Sequence, residues 1–231
     1  MSSENPSEYA ASGQVGLSPF EANAHAREAS SAFLLGQVMF LVSVALGFAA
    51  AGTYIGRDLA YGTAQICWFV TLGMLIAQMF VEPLRVGPVG MVWMFTLALL
   101  MGLGMGPVIA HYATYDTTAL YEAAGGTALT VAIMGSFGFA TSRDLIRWAR
   151  PLFWALLGVF AISLVMVLMR AGNNLVLDLA IYVIVAAYLA IYFQIIRRTA
   201  TERDVVWIAT GVFVNIVNIF LTLLRIFGGN R

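Results

Sequence analysis

Gly211, Asn215, Asn218, Thr222 and Arg225 recur along the last apolar stretch of the chain at spacings of four, three, four and three. On an α-helix that spacing gathers them onto one face. Amides and hydroxyls in lipid need partners, so this face is expected to point into a bundle. There the amides either bond neighbouring helices, at about 0.6–2 kcal/mol per bond, or line a polar path. Asp178 stands about one turn inside the preceding apolar stretch, with Tyr182 one turn deeper on the same face. A carboxylate within a membrane is costly and is a functional candidate by default; the alternative is a solvated acid at a helix end. The candidate path comprises Asn215, Asn218, Thr222, Asp178 and Tyr182. Asp116 and Glu122, expected at the same surface as Asp178, would make an acidic mouth that attracts cations.

Several chemistries are missing. The chain has no lysine, so a retinal Schiff base cannot form. Its two histidines, His25 and His111, fall in the polar tail and at a span end, where they cannot supply paired axial haem ligands within a bilayer. Ser136 lies mid-span while His111 lies at a boundary, so no serine and base share a depth, and Ser136 is read as a small packing residue. Cys67 is the only cysteine, which removes disulfides and zinc clusters. No nucleotide loop or metalloprotease motif is present. The expectation is a non-enzymatic protein without a cofactor.

The elements that position these residues follow from composition. Hydrophobic residues make up 61% of the 231 and charged residues 10%, against about 45–50% and 25% in an ordinary soluble domain. Seven apolar runs, about 33–55, 64–82, 89–110, 119–140, 151–169, 174–196 and 204–227, each suit one crossing of a hydrocarbon core that needs about 20 residues. The fold class is all-α integral membrane, a seven-transmembrane-helix bundle over 31–231 preceded by a polar tail over 1–30. That tail lacks the basic start and early apolar core of a cleavable signal peptide. Ser18-Pro19-Phe20-Glu21 has capping-box spacing with proline at the first helical position, predicting a short helix that leads into the first span. Glu82 and Arg85 are read as an interfacial ion pair.

Orientation follows from the arginines. With the N-terminus inside, Arg27, Arg85, Arg143, Arg147, Arg150, Arg197, Arg198 and Arg203 lie on the inner side, and Arg57, Arg170, Arg225 and Arg231 outside. Cytoplasmic loops carry the positive excess, so the N-terminus is expected inside and the C-terminus outside. Twelve acids balance twelve arginines, leaving no nucleic-acid footprint.

The third run closes on Gly106-Pro107, and the fourth carries Ala124-Gly125-Gly126-Thr127-Ala128 and ends at Thr141-Ser142-Arg143-Asp144-Leu145. Small residues at this density let membrane helices approach closely, and packing alone would account for them. Their order, together with Asn218-Ile219-Phe220-Leu221-Thr222-Leu223-Leu224 before Gly228, resembles the signature of the Bax inhibitor-1 family from about residue 30 onward. On that resemblance Gly106, Pro107, Thr127, Ala128, Arg143 and Asp144 are the family-motif positions.

The Gly-Gly-Thr-Ala stretch and the acid-free last span are similar to a bacterial branch that modulates a membrane-anchored ATP-dependent protease. This implies regulation of that protease or of a larger membrane complex, in a bacterial plasma (inner) membrane. The family also contains calcium leaks closed by paired aspartates. Here the matching positions, near Phe193 and at Asn215, carry no acid. The second expectation is therefore a passive calcium or cation leak with an aspartate-free latch, Ca2+ being cargo.

Overall fold

The computed structural model describes residues 19–168 and 174–229. The tail ahead of Pro19, with Arg170 and Arg231 of the arginine tally, lies outside them. Seven helices follow in order: α1 (Pro19–Gly56), α2 (Tyr61–Phe80), α3 (Gly87–Tyr115), α4 (Thr117–Ala140), α5 (Ala149–Leu168), α6 (Leu175–Arg198) and α7 (Val205–Gly228). By length and composition each contains a stretch able to cross a membrane. Among the described residues there is no strand, so the architecture is the all-α bundle expected.

Local chemistry sets the ends. Asp116 caps α4 by accepting from the Ala119 amide at 3.1 Å, and the Asn174 side chain accepts from Val176 and Leu177 at the start of α6. These bonds satisfy amides that a helix start leaves without partners. Gly87 adopts φ +62°, a left-handed conformation that favours glycine, and Pro88 follows in the first turn of α3. Thr201 and Asp204 form a reciprocal capping box ahead of α7.

Two boundaries differ from expectation. α1 begins at Pro19 but runs without a break through residue 30, so no separate short helix precedes the first span. α3 continues past Gly106-Pro107 to Tyr115, which makes Pro107 an interior residue rather than a terminator. A proline inside a membrane helix is tolerated where neighbouring helices support the local backbone. Gly106 lies against the backbone of Gly56 and Arg57, where a β-carbon would find no room.

α1 and α3 meet through matching four-residue glycine spacings. Gly52 and Gly56 face the backbones of Leu99 and Leu103, and Gly102 faces that of Ala49. Without a hydrophobic driving force in lipid, such close backbone approach is what van der Waals attraction requires. α7 is the central helix: α1, α3, α4 and α6 surround it, with α2 outside α3 and α5 outside α6. Phe213, Ile219 and Leu224 on α7 are fully buried, as are Leu97 and Met101 on α3 and Leu189 on α6.

Candidate functional site: a lateral cleft and the polar clamps around it

The polar face of α7 is used within the fold. Asn215 is buried, and its Nδ2 donates to the Gly211 carbonyl of its own helix at 2.7 Å. That bond is neither the interhelical bond nor the open path expected of it. Thr222 is buried and Asn218 half-buried. Gly211 accommodates the Tyr192 ring, which fills the space where a side chain would stand.

Asp178 is 8% exposed, and its carboxylate meets the Arg225 guanidinium at 3.0 Å. The solvated-acid alternative is thereby overturned, and an acidic mouth loses one of its three members to a cation. Tyr182, one turn deeper, shares a 2.8 Å hydrogen bond with Thr130 of α4. These two links tie α6 to α7 and to α4. The equal residue spacing between the Asp178–Arg225 and Tyr192–Gly211 contacts on both helices fixes an antiparallel register. Neither Phe193 nor Asn215, the positions matched to the paired aspartates, takes part in these links. Phe193 packs instead against Gly135.

Two buried glutamines, passed over in the sequence, anchor the arginine-rich end. Gln194 is fully buried; it donates to the Arg143 carbonyl at 2.6 Å and accepts from the Leu145 amide at 2.7 Å. The motif residues Arg143 and Asp144 thus form a connection clamped to α6, and Asp144 accepts from the Ile146 amide. Arg197 donates to the Phe139 carbonyl, one of those the end of α4 leaves free, and Arg198 to the Ser142 carbonyl of the connection that follows. Gln78, also fully buried, donates to the Leu84 carbonyl at 3.1 Å. Arg85 donates to the Gln78 carbonyl and sits over the Trp207 ring, while Glu82 faces Arg203 at 3.5 Å. The expected Glu82–Arg85 pair is therefore replaced by other partners. An amide inside an apolar run was the signal for both glutamines.

A cleft of about 970 Å³ lies between α1 and α4, which stand apart, with α3 and α7 behind. Small residues stand on both flanks, Ala50 and Thr53 on α1 and Ala124, Ala128 and Ala132 on α4, while larger apolar side chains such as Leu46, Met105 and Phe220 complete the lining. Those three alanines are exposed, one per turn on one face. Of the motif residues, Thr127 is buried and donates to the Ala123 carbonyl, and Ala128 faces the cleft. Arg57 closes one end, stacked over Tyr54 at 4.5 Å and bonded to Asp58 at 3.1 Å. That bond raises the Arg57 pKa above its usual value, keeping it charged. Among the described residues no group of three or more His, Cys, Asp or Glu could hold a metal ion.

The family model described as "Inhibitor of apoptosis-promoting Bax1" matches residues 32–231, which is nearly all of the seven-helix unit. The chain belongs to the Bax inhibitor-1 family. An uncharacterized membrane protein of Streptococcus pyogenes serotype M3 is 30% identical over 58% of the chain and 60% of its own length; the alignment thus spans about three-fifths of that relative. The inner membrane protein YbhL of Escherichia coli K12 is 26% identical over 69% of the chain and 75% of its own length. A Caulobacter vibrioides protein is 25% identical over 83% and 84%. These relatives and the seven apolar helices make the chain an integral membrane protein.

Proposed function

We propose that this family member is a non-enzymatic regulator that receives a transmembrane helix of a partner in the cleft between α1 and α4. The cleft carries this reading. Two turns of an α-helix, about 11 Å long and 10–12 Å across, occupy a comparable volume. Its small-residue flanks offer the surface on which membrane helices associate. The partner is a membrane-anchored ATP-dependent protease, as the family resemblance implies, or another, larger membrane complex. An inner-membrane location suits the likeness to YbhL, and an N-terminus in the cytoplasm suits the arginine distribution.

The leak reading draws less support from the geometry. Asn215 bonds its own helix, Asp178 is neutralised by Arg225, and the apolar Phe213 and Leu189 are fully buried at the centre of the bundle. The test is co-purification of the protease from native membranes with the wild-type chain and with Ala128→Phe, which fills the cleft from an exposed position. Retention by wild type and loss in the variant is the expected result. Equal retention by both would remove the cleft from the account.

A further inference from the structure

A second cavity, of about 670 Å³, lies at the opposite end of the bundle from the glutamine-clamped connections, between α2, α3 and α7. We propose that it binds an anionic amphiphile: a phosphate or carboxylate head carried on an apolar arm. The lining is divided in the way such a ligand needs. Arg225, His111 and the phenols of Tyr61 and Tyr112 gather near the helix ends, whereas Trp68, Met105 and Leu221 lie further along their helices toward the middle of the bundle. Tyr61 to Trp68 spans seven residues of α2, so the cavity reaches about 10 Å below its rim. Among the described residues no carboxylate lines it; Asp178 engages Arg225 from outside the lining, and the Arg225 side chain retains 44% of its exposure. A guanidinium has five donors in a planar fork, so an ion pair to one carboxylate leaves others for an anion.

The walls are also held in place. Trp68 packs across Gly104 and Tyr112 across Gly228, each ring occupying the space a β-carbon would need. His111 in turn packs edge-on to Tyr112 at 5.8 Å and against Tyr115 at 4.8 Å. Small-molecule sites are cavities of about 300–1,000 Å³ that are mostly apolar with a few convergent polar groups. This cavity has that size and composition. The two cavities share α3 and α7, and Met105 lines both, but Ala128 lines only the first and Trp68 and Arg225 only the second, so the two proposals are tested separately.

Octyl phosphate serves as the probe, with octanol and inorganic phosphate as controls, titrated against the full chain in phosphatidylcholine nanodiscs. Expected is saturable binding of octyl phosphate that neither control reproduces, weakened at least tenfold by Arg225→Gln and by Trp68→Leu and unchanged by Arg57→Gln. Trp68→Leu leaves the Asp178–Arg225 pair intact and decides the matter if Arg225→Gln does not fold. Competition by phosphatidylglycerol in the disc would assign the head to a bilayer lipid; its absence would assign a water-borne ligand. Binding no better than octanol, or insensitive to both substitutions, overturns the proposal.

Discussion

The Asp178 carboxylate and the Arg225 guanidinium meet at 3.0 Å, the acid nearly buried and the base almost half exposed. The pair joins the start of α6 to the end of α7 and takes the Asp178 carboxylate off the list of free charges. Removing one partner of a buried pair leaves an uncompensated charge, but the exposure of Arg225 lets water and lipid headgroups take over part of the role. Asp178→Asn is expected to cost about 1–2 kcal/mol. Asp178→Asn/Arg225→Gln should cost less than the sum of the single substitutions, read as thermal unfolding midpoints in a double-mutant cycle.

Gln194 holds the connection between α4 and α5 by both atoms of its amide. Gln194→Leu keeps the volume and deletes two hydrogen bonds, which on average contribute about 0.5–1.5 kcal/mol each. Amide exchange over residues 141–148 should accelerate, while exchange in α3 stays unchanged. Gln194→Glu keeps the acceptor for the Leu145 amide and should fall between the two.

Two glycines of the chain should respond oppositely to enlargement. Gly102 abuts the Ala49 backbone, so Gly102→Val must separate α1 from α3 and should abolish folded, monodisperse protein in detergent. Gly125 on α4 has open space around it, so Gly125→Ala should be tolerated. It should raise stability by about 0.5–1 kcal/mol, because glycine in a helix interior is the more costly residue.

Replacing Asn215 and Asn218 together with leucine deletes one bond within α7 and no bond between helices that involves Asn215. The expected loss of stability is about 1 kcal/mol or less. Calcium flux into proteoliposomes should be at background for both proteins; flux in the wild type that the double variant abolishes would restore the polar path.

Seven apolar runs separated by arginine, proline and acid were enough to read the helices, since apolar length is the dominant signal in a membrane chain. The motif run Gly106-Pro107, Thr127-Ala128 and Arg143-Asp144 located the family as well. What the spacing could not give was partnership. A four-three-four-three stripe states that Asn215 and Arg225 share a face, but not that one bonds its own helix while the other finds Asp178. Gln78 and Gln194 were visible as amides within apolar runs, yet apart from the Thr210 hydroxyl that Gln78 also reaches, their partners are backbone atoms of the connecting segments, which leave no trace in side-chain pattern. The lateral cleft was equally hidden: Ala124, Ala128 and Ala132 are as suitable for internal packing as for an open wall, and only the separation of α1 from α4 distinguishes the two.

The most direct test is the rate at which the membrane-anchored ATP-dependent protease degrades a membrane substrate in liposomes, measured with wild-type chain, with Ala128→Phe and with neither. The account predicts that wild type changes the rate and that Ala128→Phe, folded and inserted to the same extent, leaves it at the value without the chain. A rate that wild type does not alter, or that Ala128→Phe alters equally, would contradict a partner helix in the α1–α4 cleft.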